Sequence, residues 1–179
     1  ADVLTLREHF GDVEGRRLTY VGDGNNVATS LAFAAALCGV EMAVSSPAGY
    51  ELDEDVVERA RNLGGVITLV PDPHEAVHGA DAVYTDVWTS MGQESEAAQR
   101  RQAFHGYCVD TALLDRAGSD AVFLHCLPAH RGEEVAADVI DGERSLVWQQ
   151  AENRMHALRA LLAHLVTGPE LDSATTGDT

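Results

Sequence analysis

The chain has 179 residues, 45% of them apolar, which suits one domain with a full-sized core. No apolar run approaches the roughly 20 residues that cross a bilayer, and the first residues lack the basic start of a signal peptide, which argues against a membrane partner. The formal net charge is -17 and all 12 basic residues are arginine, so no cationic cluster is available for nucleic acid.

Self-repulsion on this scale opposes compactness at low salt, and at about 1 M salt the Debye length shrinks to about 3 Å. The surface therefore reads as acidic and halophilic, suited to a saline cytoplasm. Cys38, Cys108 and Cys126 are odd in number and contain no C-x-x-C. That fits a reduced cytoplasmic compartment better than a disulfide framework. The chain starts at Ala1 without an initiator Met, so a piece of a longer protein is expected.

In chain order, "ADVLTLREHFGD" is amphipathic, and "RRLTYVGDGNNVATSLAFAAALCG" reads as strand, glycine turn and helix. "EMAVSSPAG" is a second strand, followed by an acidic helix from about Asp53 to Asn62. "GVITLVPDP" and "DAVYTDVW" are the third and fourth strands, with the short helix "HEAVHGA" between them. A polar helical stretch runs from Gln93 to Phe104, and "AVFLHCLP" is the fifth strand. "SLVWQQ" reads as a brief extended piece, and "AENRMHALRALLAHLVTG" as a long closing helix. Strands alternating with helices predict an α/β fold, Rossmann-like and three-layered: a doubly wound, mainly parallel five-stranded sheet with helices on both faces. Ligands in such folds bind beyond the carboxyl ends of the strands. Those ends carry residues 22–26, 45–49, 86–92 and 125–131, where the polar chemistry concentrates.

Three motifs stand at that edge, and a fourth opens the closing helix. "GDGNNV" is a partial dinucleotide fingerprint, with Val27 in place of the third glycine and no acid closing the second strand. It reads equally as a glycine turn opening a helix, or as Asn25 and Asn26 aiming amides at an amino-acid head group. In "DVWTSMGQE", Asp86 and Ser90 suit an ammonium group, or else cap the next helix. In "FLHCLPAHRGEE", three special readings meet a plain core cysteine before a proline turn: a zinc site of His125, Cys126 and His130, a cysteine nucleophile, and a pocket-lining thiol. Neighbouring strand residues point to opposite faces and no second Cys/His pair completes a zinc site. "AENRM" puts Arg154 in a first helical turn, against the helix dipole, as if it reached for an anion or a polarised carbonyl. Met155, Leu158, Leu162 and Leu165 form a helical stripe.

Taken together, "GDGNN", "DVWTSMGQE", "FLHCLP" and "AENR" resemble ornithine carbamoyltransferase in order and approximate spacing, from Ala1 to about Gly168. Aspartate carbamoyltransferases share the fold but differ at both SMG and HCLP. The resemblance implies the second, ornithine-binding domain over residues 1–167, with 168–179 a disordered polar tail. The S-T-R-T and H-P-x-Q motifs of a carbamoyl phosphate-binding first domain are not in the chain, so the family's two-domain enzyme would need that half as a partner and this chain would be inactive alone. The implied substrates are ornithine and carbamoyl phosphate, with no cofactor and no metal, in a homo-oligomer such as a trimer. Asn26 and the Met91 backbone would hold the α-carboxylate, and Asp86 and Ser90 the α-ammonium. Cys126 would lie beside the δ-amine, the carbonyls of Cys126 and Leu127 would accept from the carbamoyl NH2, and Arg154 would polarise the carbonyl oxygen. A cis Leu127–Pro128 bond is also implied, as are a closing lid from Ser90 to about Gly106 and exposure of part of the apolar stripe. A dinucleotide-binding oxidoreductase, a carbamoyltransferase for another amine, and a non-catalytic amino-acid-binding or scaffold module are the alternatives.

Overall fold

The computed structural model describes residues 1–89, 92 and 94–168. Ser90, Met91, Gln93 and the tail from Pro169 lie outside them, so the expected lid is described only in part and the expected disorder of the tail is not addressed. The order is α1 (Asp2–Phe10), β1 (Arg17–Val21), α2 (Asn26–Cys38), β2 (Glu41–Ser45), α3 (Glu54–Asn62), β3 (Ile67–Leu69), α4 (Pro73–Ala76) and β4 (Ala82–Thr85). A 3-10 turn (Glu94–Glu96) and α5 (Ala97–Ala103) follow, then α6 (Thr111–Leu114), β5 (Val122–His125), α7 (Ala137–Ile140) and α8 (Val147–Thr167).

The five strands form one parallel sheet ordered β3-β2-β1-β4-β5. The chain reverses its direction of winding between β1 and β4, so a crevice opens beyond their carboxyl ends. Pleating sends alternate residues to two cores. Leu18, Tyr20, Met42, Tyr84 and Leu124 pack with α2 and α3 on one face. Val21, Val83 and Phe123 pack on the other with Leu113, Leu114, Val139 and Ile140 of the short helices α6 and α7. Each such side chain, once buried, contributes roughly 1.5–3 kcal/mol.

Local chemistry sets the helix starts. The Asn25 side chain accepts from the Val27 and Ala28 amides at the head of α2, Asp53 caps α3 and Asp72 caps α4. Gly24 lies so close to the next loop that a Cβ there would overlap the backbone of Glu51 and Leu52, and its N–H donates to the Tyr50 carbonyl at 2.8 Å.

The last helix departs from its expected start. It begins at Val147, so "WQQ" is helical and Arg154 sits about two turns in, beyond the reach of the terminal dipole. Extended pairing stops at Ser145 and Leu146, whose partner is Phe123. Tertiary bonds then decide: buried Gln150 serves as acceptor for the His125 N–H at 2.9 Å, and buried Asn153 donates to Thr5 and Glu8 of α1. The expected exposure of the apolar stripe is met: Met155, Leu158, Leu161, Leu162, Leu165 and Val166 are all at least half exposed. No helix among the described residues is long and apolar enough to cross a membrane.

Candidate functional site

An open cleft of about 820 Å³ lies at the switch between β1 and β4. Asn26 from the head of α2, Asp86 and Thr89 from beyond β4, Cys126, Leu127 and Pro128 from beyond β5, and Arg154 from α8 all line it. Of the seven residues singled out from sequence, Asn26, Asp86, Cys126, Leu127 and Arg154 are thus brought to one cavity. Ser90 and Met91 lie outside the described residues.

Asp86 is buried and held from several sides. Its Oδ2 accepts from the Asn25 Nδ2 at 2.9 Å; its Oδ1 accepts from the Val87 N–H at 2.8 Å and the Cys126 thiol at 3.0 Å. Asn25 therefore does not aim at a ligand, as its place in the glycine turn suggested. Its oxygen is spent on the helix cap and its nitrogen on Asp86, leaving exposed Asn26 as the free amide. Burial and the adjacent Asp86 charge push the Cys126 thiol up to about 12, so it is a neutral hydrogen-bond donor at physiological pH and a poor nucleophile.

The strand ends at His125, and pleating sends its ring to the face opposite Cys126. The His125 Nδ1 accepts from the Leu127 N–H at 2.9 Å, which fixes the proton on Nε2, 3.3 Å from the fully buried Glu134. Candidate ligand atoms of Asp86, His125 and Cys126 lie within 4.8 Å of one another. Both ring nitrogens of His125 are engaged, however, and exposed His130 turns instead towards Glu134, with Nδ1 3.8 Å from it. The three residues thus serve the turn rather than a tetrahedral set. Leu127 has φ 57° and the Leu127–Pro128 bond is cis, as the resemblance implied. The Cys126 carbonyl accepts from the Arg154 Nη1 at 3.4 Å, so Arg154 reaches the cleft despite starting from mid-helix.

Sequence reasoning missed the supports of this site. Buried Arg100 on α5 pairs with Asp23 at 2.6 Å and donates to the Trp88 carbonyl at 2.9 Å. It also lies over the Tyr50 ring at 4.9 Å. Burial raises the Asp23 carboxyl in spite of the Arg100 charge. Its neighbour Arg101 pairs across the cleft rim with Glu133 at 2.9 Å. The adjacent arginines in "QRRQA" were the only visible signal, and nothing in them distinguishes the buried one from the exposed one. Tyr84 and Gln150, buried behind Cys126, were equally silent in the sequence.

Residues 14–165 match the family described as aspartate/ornithine carbamoyltransferase, Asp/Orn binding domain. The ornithine carbamoyltransferase of Methanoculleus marisnigri is 53% identical over 168 residues, covering 94% of this chain and 54% of the relative. That of Symbiobacterium thermophilum is 55% identical over 166 residues, with 90% and 54% covered. The solved ornithine carbamoyltransferase from Pyrococcus furiosus superposes with a TM-score of 0.85 at 51% identity, over 90% of this chain and 53% of that one. The chain spans about half the length of the curated relatives it matches. The chain belongs to the aspartate/ornithine carbamoyltransferase family, and its fold is that family's amino-acid-binding domain.

Proposed function

We propose that this chain is the ornithine-binding half of an ornithine carbamoyltransferase, an enzyme that transfers the carbamoyl group of carbamoyl phosphate to the δ-amine of ornithine. The observation that carries the reading is the convergence of Asn26, Asp86, Cys126 and Arg154 on one cleft at the sheet's switch point. Residues 1–167 act as the ornithine domain. A carbamoyl phosphate-binding half completes the cleft, in a homo-oligomer in a saline cytoplasm.

In this reading Asn26 and the Met91 backbone bind the α-carboxylate, and Asp86 with Ser90 binds the α-ammonium. Cys126 and Asp86 hold the δ-amine, which enters as a free base. Its lone pair attacks the carbamoyl carbon, the carbon–oxygen bond to phosphate breaks through a tetrahedral intermediate, and phosphate leaves with the bonding pair. Arg154 stabilises the oxyanion of that intermediate, while the Cys126 and Leu127 carbonyls orient the carbamoyl NH2. The nitrogen sheds its extra proton through the Asp86–Cys126 contact. No covalent enzyme intermediate is needed, because rate comes from positioning and charge stabilisation. The apolar stripe of α8 is the surface on which the carbamoyl phosphate half docks.

The test is to titrate the chain with L-norvaline, an ornithine mimic lacking the δ-amine, and with NADH, and then to assay citrulline after adding a family carbamoyl phosphate-binding domain at high salt. Norvaline binding and citrulline formation are expected. Saturable NADH binding, or no norvaline binding, overturns the reading.

A further inference from the structure

Two side chains one turn apart on α8 grip the end of β5. The edge of β5 away from β4 is paired by backbone at Phe123. Its N–H donates to the Arg144 carbonyl at 2.8 Å, and its carbonyl accepts from the Leu146 N–H at 2.9 Å. Strand N–H groups alternate between edges, so the next one on this edge belongs to His125. Its acceptor is a side chain, Gln150 Oε1, at 2.9 Å. A residue of α8 thus supplies the last rung of the sheet. One turn later, Arg154 Nη1 donates to the Cys126 carbonyl at 3.4 Å. Residues four apart share a helix face, so the rung and the guanidinium meet consecutive residues of the same strand end.

The Gln150 amide has no freedom to turn. A backbone N–H can only donate, which fixes the oxygen towards His125. The nitrogen then donates to Asp2 Oδ1 at 2.8 Å and to the Tyr84 hydroxyl at 3.1 Å. One amide, 1% exposed, so joins α1, β4, β5 and α8. We propose that Gln150 is a positioning residue for Arg154. It sets α8 in register with the end of β5 and holds the guanidinium at the Cys126 carbonyl, where the carbamoyl group is to be received. Its catalytic meaning rests on the proposed function; the register itself belongs to this chain. Buried Val147 also holds α8, as does Asn153, which donates to Thr5 and Glu8. Loss of the rung therefore shifts the helix without freeing it.

The test is Gln150→Ala, alone and together with Arg154→Ala, in the 179-residue chain. With a family carbamoyl phosphate-binding domain added, Gln150→Ala should lower kcat for citrulline about a hundredfold, as an ångström-scale misplacement does. KM for ornithine and Kd for norvaline should stay within about twofold. On top of Arg154→Ala the substitution should cost nothing further, because it acts through Arg154. Norvaline stoichiometry reports the folded fraction, so a merely destabilised chain does not produce this pattern. An unchanged kcat, a parallel rise in KM, or a further loss in the double variant overturns the role. In the isolated chain, the Cys126 carbonyl carbon resonance should move upfield in Gln150→Ala to its position in Arg154→Ala. A resonance that stays in place overturns the register. Should Gln150→Ala not fold, Gln150→Asn, one methylene short of the strand, takes its place with the same outcomes. If the parent pair forms no citrulline, the proposed function falls, and the carbon resonance alone decides the register.

Discussion

Arg100 Nη1 lies 2.6 Å from Asp23 Oδ2, and the two side chains are 7% and 12% exposed. The pair ties α5 to the glycine turn after β1, and through the Trp88 carbonyl and the Tyr50 ring the same guanidinium gathers the loops after β4 and β2. One buried cation thus organises three of the loops around the cleft. It is hydrogen-bonded on several edges, which is the condition under which a buried charge is tolerated.

Arg100→Gln leaves Asp23 buried without its partner. We expect a loss of roughly 3–5 kcal/mol in denaturant unfolding at constant ionic strength. Arg101→Gln, one residue away on an exposed pair, should cost about 1 kcal/mol or less. Equal effects of the two substitutions would refute the assignment of Arg100 as the buried anchor.

Stability should fall on the alkaline side. Burial raises the Cys126 thiol and the Tyr20 and Tyr84 hydroxyls above their unfolded values. Between pH 9 and about 12 the unfolded chain therefore releases protons that the folded chain keeps. Each such group adds a downward slope of roughly 1.4 kcal/mol per pH unit while its two forms differ in protonation. Below pH 9 the thiol is protonated in both states and its contribution is fully present. Cys126→Ala should flatten the fall in unfolding free energy between pH 9 and 10; an unaltered slope would contradict the raised thiol.

Asn25 and Asn26 are adjacent but differ in work. Asn25→Ala removes the α2 cap and the tether on Asp86, at about 1–2 kcal/mol in thermal unfolding. Asn26→Ala, on an exposed side chain, should change stability by less than about 0.5 kcal/mol while weakening norvaline binding by about tenfold. The reverse pattern, a stability loss at 26 and none at 25, would exchange their roles.

The net charge of -17 predicts a salt-dependent midpoint. Raising KCl from about 0.1 to 1 M shortens the Debye length from about 10 to 3 Å and should raise the thermal midpoint by several degrees. A midpoint that does not move would show that the acidic surface is not self-destabilising.

Leu158→Asp with Leu162→Asp acts on side chains that are 56% and 53% exposed. Unfolding of this chain should shift by less than about 0.5 kcal/mol. Reconstitution of citrulline formation with a carbamoyl phosphate-binding domain should be lost. Retained reconstitution would remove α8 as the docking surface.

The sequence carried the fold well, because strand periodicity and glycine turns are local signals. Strands at "RLTYV", "EMAVS", "AVYT" and "VFLH" follow from short apolar runs between turns. The start of α8 was not legible: "SLVWQQ" has an extended flavour, and the bonds that make it helical come from His125 and α1, over 20 residues away. The same limit applies to the site. Asn26, Asp86, Cys126 and Arg154 lie in motifs, whereas Arg100, Tyr84 and Gln150 matter only through partners that folding brings to them. The choice between Asn25 and Asn26 was likewise a matter of where a helix cap falls.

The contact between Gly24 and the Glu51–Leu52 backbone couples the β1 and β2 loops into one stiff wall. Any narrowing of the cleft must then be delivered from the opposite bank, by the chain that follows β5. Comparing liganded with empty forms should find the asparagine side stationary and the thiol side travelling.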